Sequence, residues 1–218
     1  MFDNIDDASA SKVTLSFLSR LVLMVSSWGS IGIVYTLSGL RGAEAAHLLT
    51  PSSIDLWFPF TPSAIWVYMS FFLFIPMGFF CAQPERVKWL SCVMLCSAIG
   101  AAIVFGFFPT TMVFPDVTQQ GLSAQTLKLL MRYDAVVNCL PSLHVTLTCL
   151  ALLALLQAGH LWRNLLLTGW AVVIMVSILP LHRHQFVDLL AGLGLALLAC
   201  AATVIFKRYG IIRWGGTP

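Results

Sequence analysis

Charged residues divide this chain into long apolar runs, and those runs limit what it can fold into. A backbone surrounded by lipid must satisfy its own hydrogen bonds, so each run can cross a membrane only as a helix. Charged residues make up 10% of the chain, against about 25% in soluble domains, which excludes an ordinary cytosolic domain and a disordered chain. The runs are Leu21–Leu40, Leu56–Pro84, Trp89–Pro109, Val145–Gly159, Asn164–Leu181 and Leu189–Phe206.

These runs predict an all-α membrane protein: one six-helix bundle over residues 1–218. The second helix is expected to begin at Pro62, since proline suits a first helical turn. Between the third and fourth spans, Ser123–Asp134 has Leu127, Leu130 and Met131 at helical spacing beside charged residues. We expect this segment to form a short amphipathic helix on the membrane surface, although it could be a plain connector.

Lysine and arginine counts predict the orientation, because cytoplasmic loops are enriched in both. Six spans place both termini on one side, and that side carries Lys12, Arg20, Arg86, Lys88, Arg163, Lys207, Arg208 and Arg213. The other side carries Arg41, Lys128, Arg132 and Arg183. We therefore expect an integral membrane protein with cytoplasmic termini. The loops around Arg41, Pro109–Pro141 and Leu181–His184 would then face the periplasm, lumen or exterior. No basic run indicates nucleic-acid binding.

Two segments of this outward side carry ionisable residues where a span meets the surface. One is Pro141-Ser142-Leu143-His144, and the other runs from Ser177 to Asp188. His184 and Asp188 are four residues apart, so on a helix Asp188 can fix the tautomer of His184 and leave the other ring nitrogen to attack. His144 could then protonate a leaving oxygen. The pattern favours two-step phosphoryl or phosphodiester transfer.

Other interpretations of these residues remain open. A metal site would use His182, His184 and Asp188. The His-x-His pair suits it poorly, because at the start of a helix its two rings point in different directions. A proton relay in a transporter or flippase is a further alternative, although transporters bind substrate near the midplane rather than at one surface. We predict no metal and no organic cofactor. Ser142 could contact a phosphoryl oxygen, cap the helix that begins at His144, or do both.

The Pro141–His144 segment, followed by His184-x3-Asp188, resembles the type 2 phosphatidic acid phosphatase superfamily. Its members are six-span membrane enzymes that process lipid phosphates through a phosphohistidine. The resemblance implies that His184 is the nucleophile, His144 the proton donor and Asp188 the orienting carboxylate. It also places the serine that opens the family's third motif on Ser177.

Departures from the phosphatase pattern favour a particular branch. Ile178 occupies a position where phosphatases normally have arginine, and the chain has no Lys-x6-Arg-Pro motif. The pattern Ser177-x6-His184-x3-Asp188-x3-Gly192 is similar to the inositol phosphorylceramide synthase and sphingomyelin synthase branch. The segment Asp55–Pro62 also resembles an element of that branch. The likeness implies transfer of a phospho-headgroup.

The expected partners are therefore a membrane lipid donor and a lipid or alcohol acceptor, or water. Candidate phosphate-binding residues are Arg183, Arg132 and Arg41, with Ser142 and Ser177 beside them. A phosphatase acting on a lipid phosphate or a polyprenyl pyrophosphate is the nearest alternative, since those arginines could supply its charge. Asp134 and Asn138 could either hold the surface helix in place or touch the headgroup. The sequence does not predict an oligomeric state.

Overall fold

Helices form at each of the predicted apolar runs. The computed structural model describes residues 14–40, 44 and 46–211. The α-helices within these ranges are α1 (Phe17–Gly39), α2 (Ile65–Met69), α3 (Phe71–Phe80), α4 (Pro84–Phe107), α5 (Leu122–Tyr133), α6 (Leu143–Leu155), α7 (Leu161–Val176) and α8 (Phe186–Arg208). Two-residue strands β1 (His47–Leu48) and β2 (Thr110–Thr111) pair in parallel, and short 3₁₀ helices cover Asp55–Trp57 and Pro62–Ala64.

Four helical segments in the described part of the chain are long and apolar enough to cross a membrane. They are α1, α4, α8 and the continuous segment Pro62–Phe80, which contains α2 and α3. The protein is therefore an integral membrane protein. The apolar helices α6 and α7 are shorter than the predicted fourth and fifth spans, which were expected to reach Gly159 and Leu181. At 1.5 Å per residue, α6 is about 20 Å long, less than a typical hydrocarbon core.

The short helix α6 lies at the centre of the bundle. It packs against α3, α4, α7 and α8, and most of its side chains are buried, including Leu147, Leu150 and Leu155. The long helix α4 packs against α1, α6 and α8. A central helix enclosed by protein holds its N-terminal residues in a fixed position, and His144 belongs to that first turn.

At one end of the bundle, hydrogen bonds tie the loop before α6 to β2 and the start of α8 to Asp55. Thr110 of β2 accepts from Leu140 N through its hydroxyl at 2.8 Å and from Cys139 N through its carbonyl at 3.3 Å. The Asp55 carboxylate accepts from Phe186 N, the first residue of α8, at 2.6 Å. We call this the histidine end, because it holds His144 and His184.

Three arginines lie at the opposite end, which we call the arginine end. Arg20 donates to the carbonyls of Phe79 and Ala82, at the C-terminus of α3. Arg86 and Arg163 donate to the carbonyls of Leu153 and Leu155, at the C-terminus of α6. Each therefore satisfies carbonyls that have no partner within their own helix.

The predicted amphipathic helix is present as α5. Ala124 and Leu127 are buried, and the helix packs against α2 and the turn Pro62–Ala64, whereas Lys128 and Arg132 are exposed. Trp66 Nε1 donates to Ser123 Oγ at 3.0 Å. The amphipathic pattern thus reflects packing against the protein at the histidine end.

Candidate active site

His184 and Asp188 face one another across the first turn of α8. His184 Nδ1 lies 3.3 Å from Asp188 Oδ2, which also accepts from Gln185 N at 2.9 Å. Asp188 is fully buried. Because a carboxylate can only accept, the proton of this bond belongs to Nδ1, and Nε2 keeps its lone pair. Within the described ranges no hydrogen bond occupies His184 Nε2, so that nitrogen is available as a nucleophile.

Direct backbone contacts join the two sequence motifs. Ser142 N donates to Asp188 O at 3.1 Å, and Thr146 Oγ1 donates to Gly192 O at 2.9 Å. A Cβ at position 192 would lie 2.6 Å from Ser142 O, so only glycine permits this approach. This close packing at Gly192 fixes the start of α6 against the start of α8.

Two aromatic rings hold His144 from both sides. Its imidazole stacks on Tyr68 with ring centroids 4.1 Å apart, and on Phe71 with centroids 4.2 Å apart. The residue is 7% exposed, and its Nε2 has no hydrogen-bond partner among the residues that the structure describes. A buried nitrogen without a partner costs about 1–3 kcal/mol, so it indicates a position that a ligand completes.

A cavity of about 190 Å³ brings the two histidines together. Both line it, along with Asp134 and Asn138. We call it the aromatic cavity, because its wall also contains the aromatic side chains of Trp28, Tyr35, Tyr68, Phe71 and Phe72. The two histidines therefore share one largely apolar cavity, where electrostatic interactions are stronger than in bulk water.

Arg183 forms an ion pair with Asp134. Its Nη2 and Nε donate to Asp134 Oδ2 at 2.6 and 3.1 Å, and its guanidinium lies 4.5 Å from the centroid of the Phe114 ring. Tyr35 donates its hydroxyl proton to the other oxygen of Asp134. Arg183 is 4% exposed. This largely buried ion pair connects α1 and the end of α5 to Arg183, the residue before His184.

The remaining predicted binding residues occupy different positions. Ser142 is buried and caps α6, its Oγ accepting from Val145 N at 3.5 Å. Ser177 is also buried and donates to Ile174 O at 2.6 Å, within its own helix. Arg132 is exposed on α5, and Arg41 lies outside the described residues. The structure therefore brings His144, His184 and Asp188 together with Ser142 close by, but it does not place Arg132 or Ser177 in the wall of the aromatic cavity.

His182 and Cys139, which lie beside the site, have other roles in the structure. His182 Nε2 donates to Phe58 O at 2.9 Å, so this nitrogen is engaged with backbone. Cys139 is buried, and its backbone N–H donates to Thr110 O at 3.3 Å, so it belongs to the segment that holds the start of α6 in place.

Sequence reasoning missed several aromatic residues of the site. Tyr35, Tyr68 and Phe71 stand in ordinary apolar runs, and no spacing marks them as neighbours of a histidine. Asp134 and Asn138 were noted, but their roles were left open. The structure gives Asn138 two contacts with α1, through Tyr35 O at 2.8 Å and Ser38 Oγ at 3.0 Å. Both residues therefore hold the segment before α6 in place, and both line the aromatic cavity.

Comparison with known proteins agrees with this geometry. A model of the PAP2 superfamily matches residues 59–202, about two thirds of the chain, including both histidine motifs. The chain belongs to the PAP2 superfamily. Membership indicates a membrane enzyme of the phosphatase or phosphotransferase type. No curated protein and no solved structure gives a significant match. Helix α1 lies outside the matched residues, although it lines the aromatic cavity.

Proposed function

We propose that this PAP2-superfamily protein transfers a phospho-headgroup from a membrane phospholipid to a second alcohol through a phosphohistidine on His184. The observation that carries the proposal is the pairing of His184 Nδ1 with Asp188, which leaves Nε2 unbonded in the cavity that also holds His144. Histidine is an established covalent nucleophile once a neighbour fixes its tautomer.

The proposed reaction has two steps. His184 Nε2 attacks phosphorus, the bond from phosphorus to the lipid alkoxide breaks, and His144 gives the alkoxide a proton. An acceptor alcohol then gives its proton to His144 and attacks phosphorus, and the bond to His184 Nε2 breaks. His144 therefore alternates between acid and base, and the enzyme returns to its starting state. The residues alone supply the nucleophile and the proton.

The charges around the site favour a phosphodiester as the substrate. No lysine or arginine among the described residues lines the aromatic cavity, and the nearby Arg183 is paired with Asp134. A phosphate monoester carries close to two negative charges and calls for several cations, whereas a diester carries one. Ile178, at the position where phosphatases normally carry arginine, is fully buried in an apolar cluster with Ile65 and Tyr68.

The proposed membrane arrangement has six spans, with α6 and α7 as the fourth and fifth. Both are short, but each continues into irregular backbone that protein covers, as the buried residues Val137, Asn138, Ile178 and Leu181 illustrate. Irregular backbone is tolerated at membrane depth when it is buried in protein. With six spans the histidine end faces the periplasm, lumen or exterior, and the termini are cytoplasmic.

A donor–acceptor assay tests the proposal. The full chain is reconstituted in vesicles with a phospholipid donor and a lipid alcohol acceptor, and products are identified by mass spectrometry. We expect a new phospholipid on the acceptor, reduced at least about 10,000-fold in His184→Ala. His160→Ala is the matched control, because His160 is exposed at the arginine end.

Other outcomes would separate the alternatives. Free phosphate from a lipid monophosphate or pyrophosphate, with no product on any acceptor, would contradict the transferase and indicate a phosphatase. Full activity of His184→Ala would contradict any mechanism that uses this histidine.

A further inference from the structure

His184 forms part of the wall of two cavities. The first is the aromatic cavity, which contains His144. The second, of about 300 Å³, lies between the 3₁₀ helix at Asp55–Trp57, the residues after β2 and the start of α8, and we call it the side cavity. Its wall includes Phe58, Met112, His182 and Gln185. Of the described residues that line these two cavities, His184 is the one they share.

The geometry of substitution at phosphorus explains why a transferase would need two cavities at its nucleophile. Attack and departure occur roughly in line, so the leaving oxygen lies opposite His184 Nε2, on the side of its proton donor His144. The other three substituents of phosphorus point sideways from that line. In a phosphodiester one of them carries the second organic group, which stays bonded to phosphorus in the intermediate. That group needs a space separate from the one that the leaving alcohol and the acceptor occupy.

We propose that the side cavity holds the headgroup retained on phosphorus while the lipid alcohols exchange in the aromatic cavity. The inference rests on the proposed function. When His184 Nε2 attacks, a phosphorus–nitrogen bond forms and the phosphorus–alkoxide bond breaks. His184 then carries the phosphoryl group with the headgroup still esterified to it, and that headgroup stays in the side cavity. The released alcohol leaves the aromatic cavity, and the acceptor enters the same space, where His144 takes its proton. Two cavities meeting at the nucleophile thus separate the transferred group from the exchanged one.

The wall of the side cavity indicates the class of headgroup. None of its described lining residues is a lysine or arginine, so it offers no partner for a headgroup that carries its own phosphate. The Asp55 carboxylate is occupied by Ser52 N, Ser52 Oγ and Phe186 N. His182 donates through Nε2 to Phe58 O, which leaves its Nδ1 able to accept a hydrogen bond from a ligand. The cavity suits a compact headgroup that donates hydrogen bonds and has no second phosphate.

A donor series with one constant part tests this division. The donors share the same diacylglycerol and carry methanol, glycerol or glycerol phosphate as the second substituent on phosphorus. Substituting Met112→Trp in the reconstituted full chain reduces the volume of the side cavity. We expect it to raise the kcat/KM ratio of phosphatidylmethanol to phosphatidylglycerol at least about 10-fold. Val113→Trp is a second variant, at a neighbouring and exposed position of the same wall.

The comparison variant is Gly32→Leu, which fills the aromatic cavity from α1, where a Cβ meets nothing within 4 Å. It should lower kcat/KM for all donors by a similar factor, because they share one leaving alcohol. Wild-type protein should also discriminate against phosphatidylglycerol phosphate. The same selectivity ratio in wild type and in both tryptophan variants would overturn the inference while leaving the proposed function standing. A wild-type protein that transfers no donor at all would refute the proposed function itself.

Discussion

The two ends of the bundle use their polar residues in opposite ways. At the arginine end, Arg20, Arg86 and Arg163 each donate to backbone carbonyls at a helix C-terminus. At the histidine end, several buried polar atoms have no partner among the described residues, including His144 Nε2, Asp188 Oδ1 and Asn138 Oδ1. Among the described residues, the buried side-chain atoms without a hydrogen-bond partner all belong to the histidine end, where His144 and Asn138 line the aromatic cavity.

This difference separates stability from catalysis within one fold. A buried polar atom without a partner costs about 1–3 kcal/mol, so such atoms at the histidine end lower the free energy of unfolding. The same atoms can form hydrogen bonds with a bound substrate. No described residue of the arginine end carries such an unpartnered atom, and the arginine contacts there fix the ends of α3 and α6. Variants at the histidine end should therefore change activity more than stability, and variants at the arginine end should do the reverse.

Among variants that keep His184, the largest effect is expected for Asp188→Asn. The amide keeps the size of the carboxylate, and its oxygen can still accept from Gln185 N, but it no longer selects the tautomer of His184. We expect the kcat of headgroup transfer to fall by about 1,000- to 10,000-fold. The thermal midpoint in detergent should stay close to that of wild type. A loss below 10-fold would show that Asp188 does not orient the nucleophile.

His144→Phe should have the next largest effect. Phenylalanine preserves the stacking on Tyr68 and Phe71 but cannot transfer a proton, so transfer should slow by about 100- to 10,000-fold. A phosphodiester with a nitrophenol leaving group needs no protonation. Its first-step burst should therefore be affected much less than the reaction of a lipid donor. Equal losses on both substrates would contradict the role of His144 as the acid.

Gly192→Ala should disturb both properties, because the contact it breaks joins the two motifs. The added Cβ would meet Ser142 O at 2.6 Å. We expect the free energy of unfolding to fall by about 1–3 kcal/mol and kcat to fall about 10- to 100-fold, as the histidines shift relative to each other. Gly194→Ala is the control, since a Cβ there meets nothing within 4 Å. Equal changes in stability and kcat for the two variants would contradict the claim that the close contact at Gly192 positions the two histidines.

Arg86→Met should change activity least. It removes the hydrogen bond to Leu153 O at the arginine end and keeps an apolar side chain of similar length. The free energy of unfolding should fall by about 1–3 kcal/mol, while the kcat of the folded protein should equal that of wild type. Thermal denaturation measures the change in stability, and initial-rate assays on the same preparation measure kcat. A large drop in kcat with an unchanged midpoint would contradict the division between the two ends.

Much of this arrangement could be predicted from the sequence, because local spacing determines it. The four-residue separation of His184 and Asp188 gives their contact, and charge-free runs locate the helices. Charge-free runs do not locate helix ends, however. The run Asn164–Leu181 predicted a longer helix than α7, which ends at Val176 and is followed by turns. These turns reverse the chain between α7 and α8 and position His184.

Contacts between residues distant in sequence could not be predicted. The ion pair of Arg183 with Asp134, which stands 49 positions earlier, is one of them, and the expected contact of Arg183 with phosphate stays a prediction. The aromatic rings around His144 come from the segment Pro62–Phe80, where aromatic residues are common and uninformative. Such pairings depend on how helices pack, and a single sequence contains no direct signal for them.

The most direct test of the account is to identify the residue that carries phosphorus during turnover. The reconstituted protein is mixed with a phosphodiester donor without acceptor, quenched, and analysed by tandem mass spectrometry under conditions that preserve phosphohistidine. The account predicts a phospho-headgroup adduct on His184, absent from His184→Ala and retained in His160→Ala. A protein that completes transfer with no adduct on His184, or with one on another residue, would contradict the central claim.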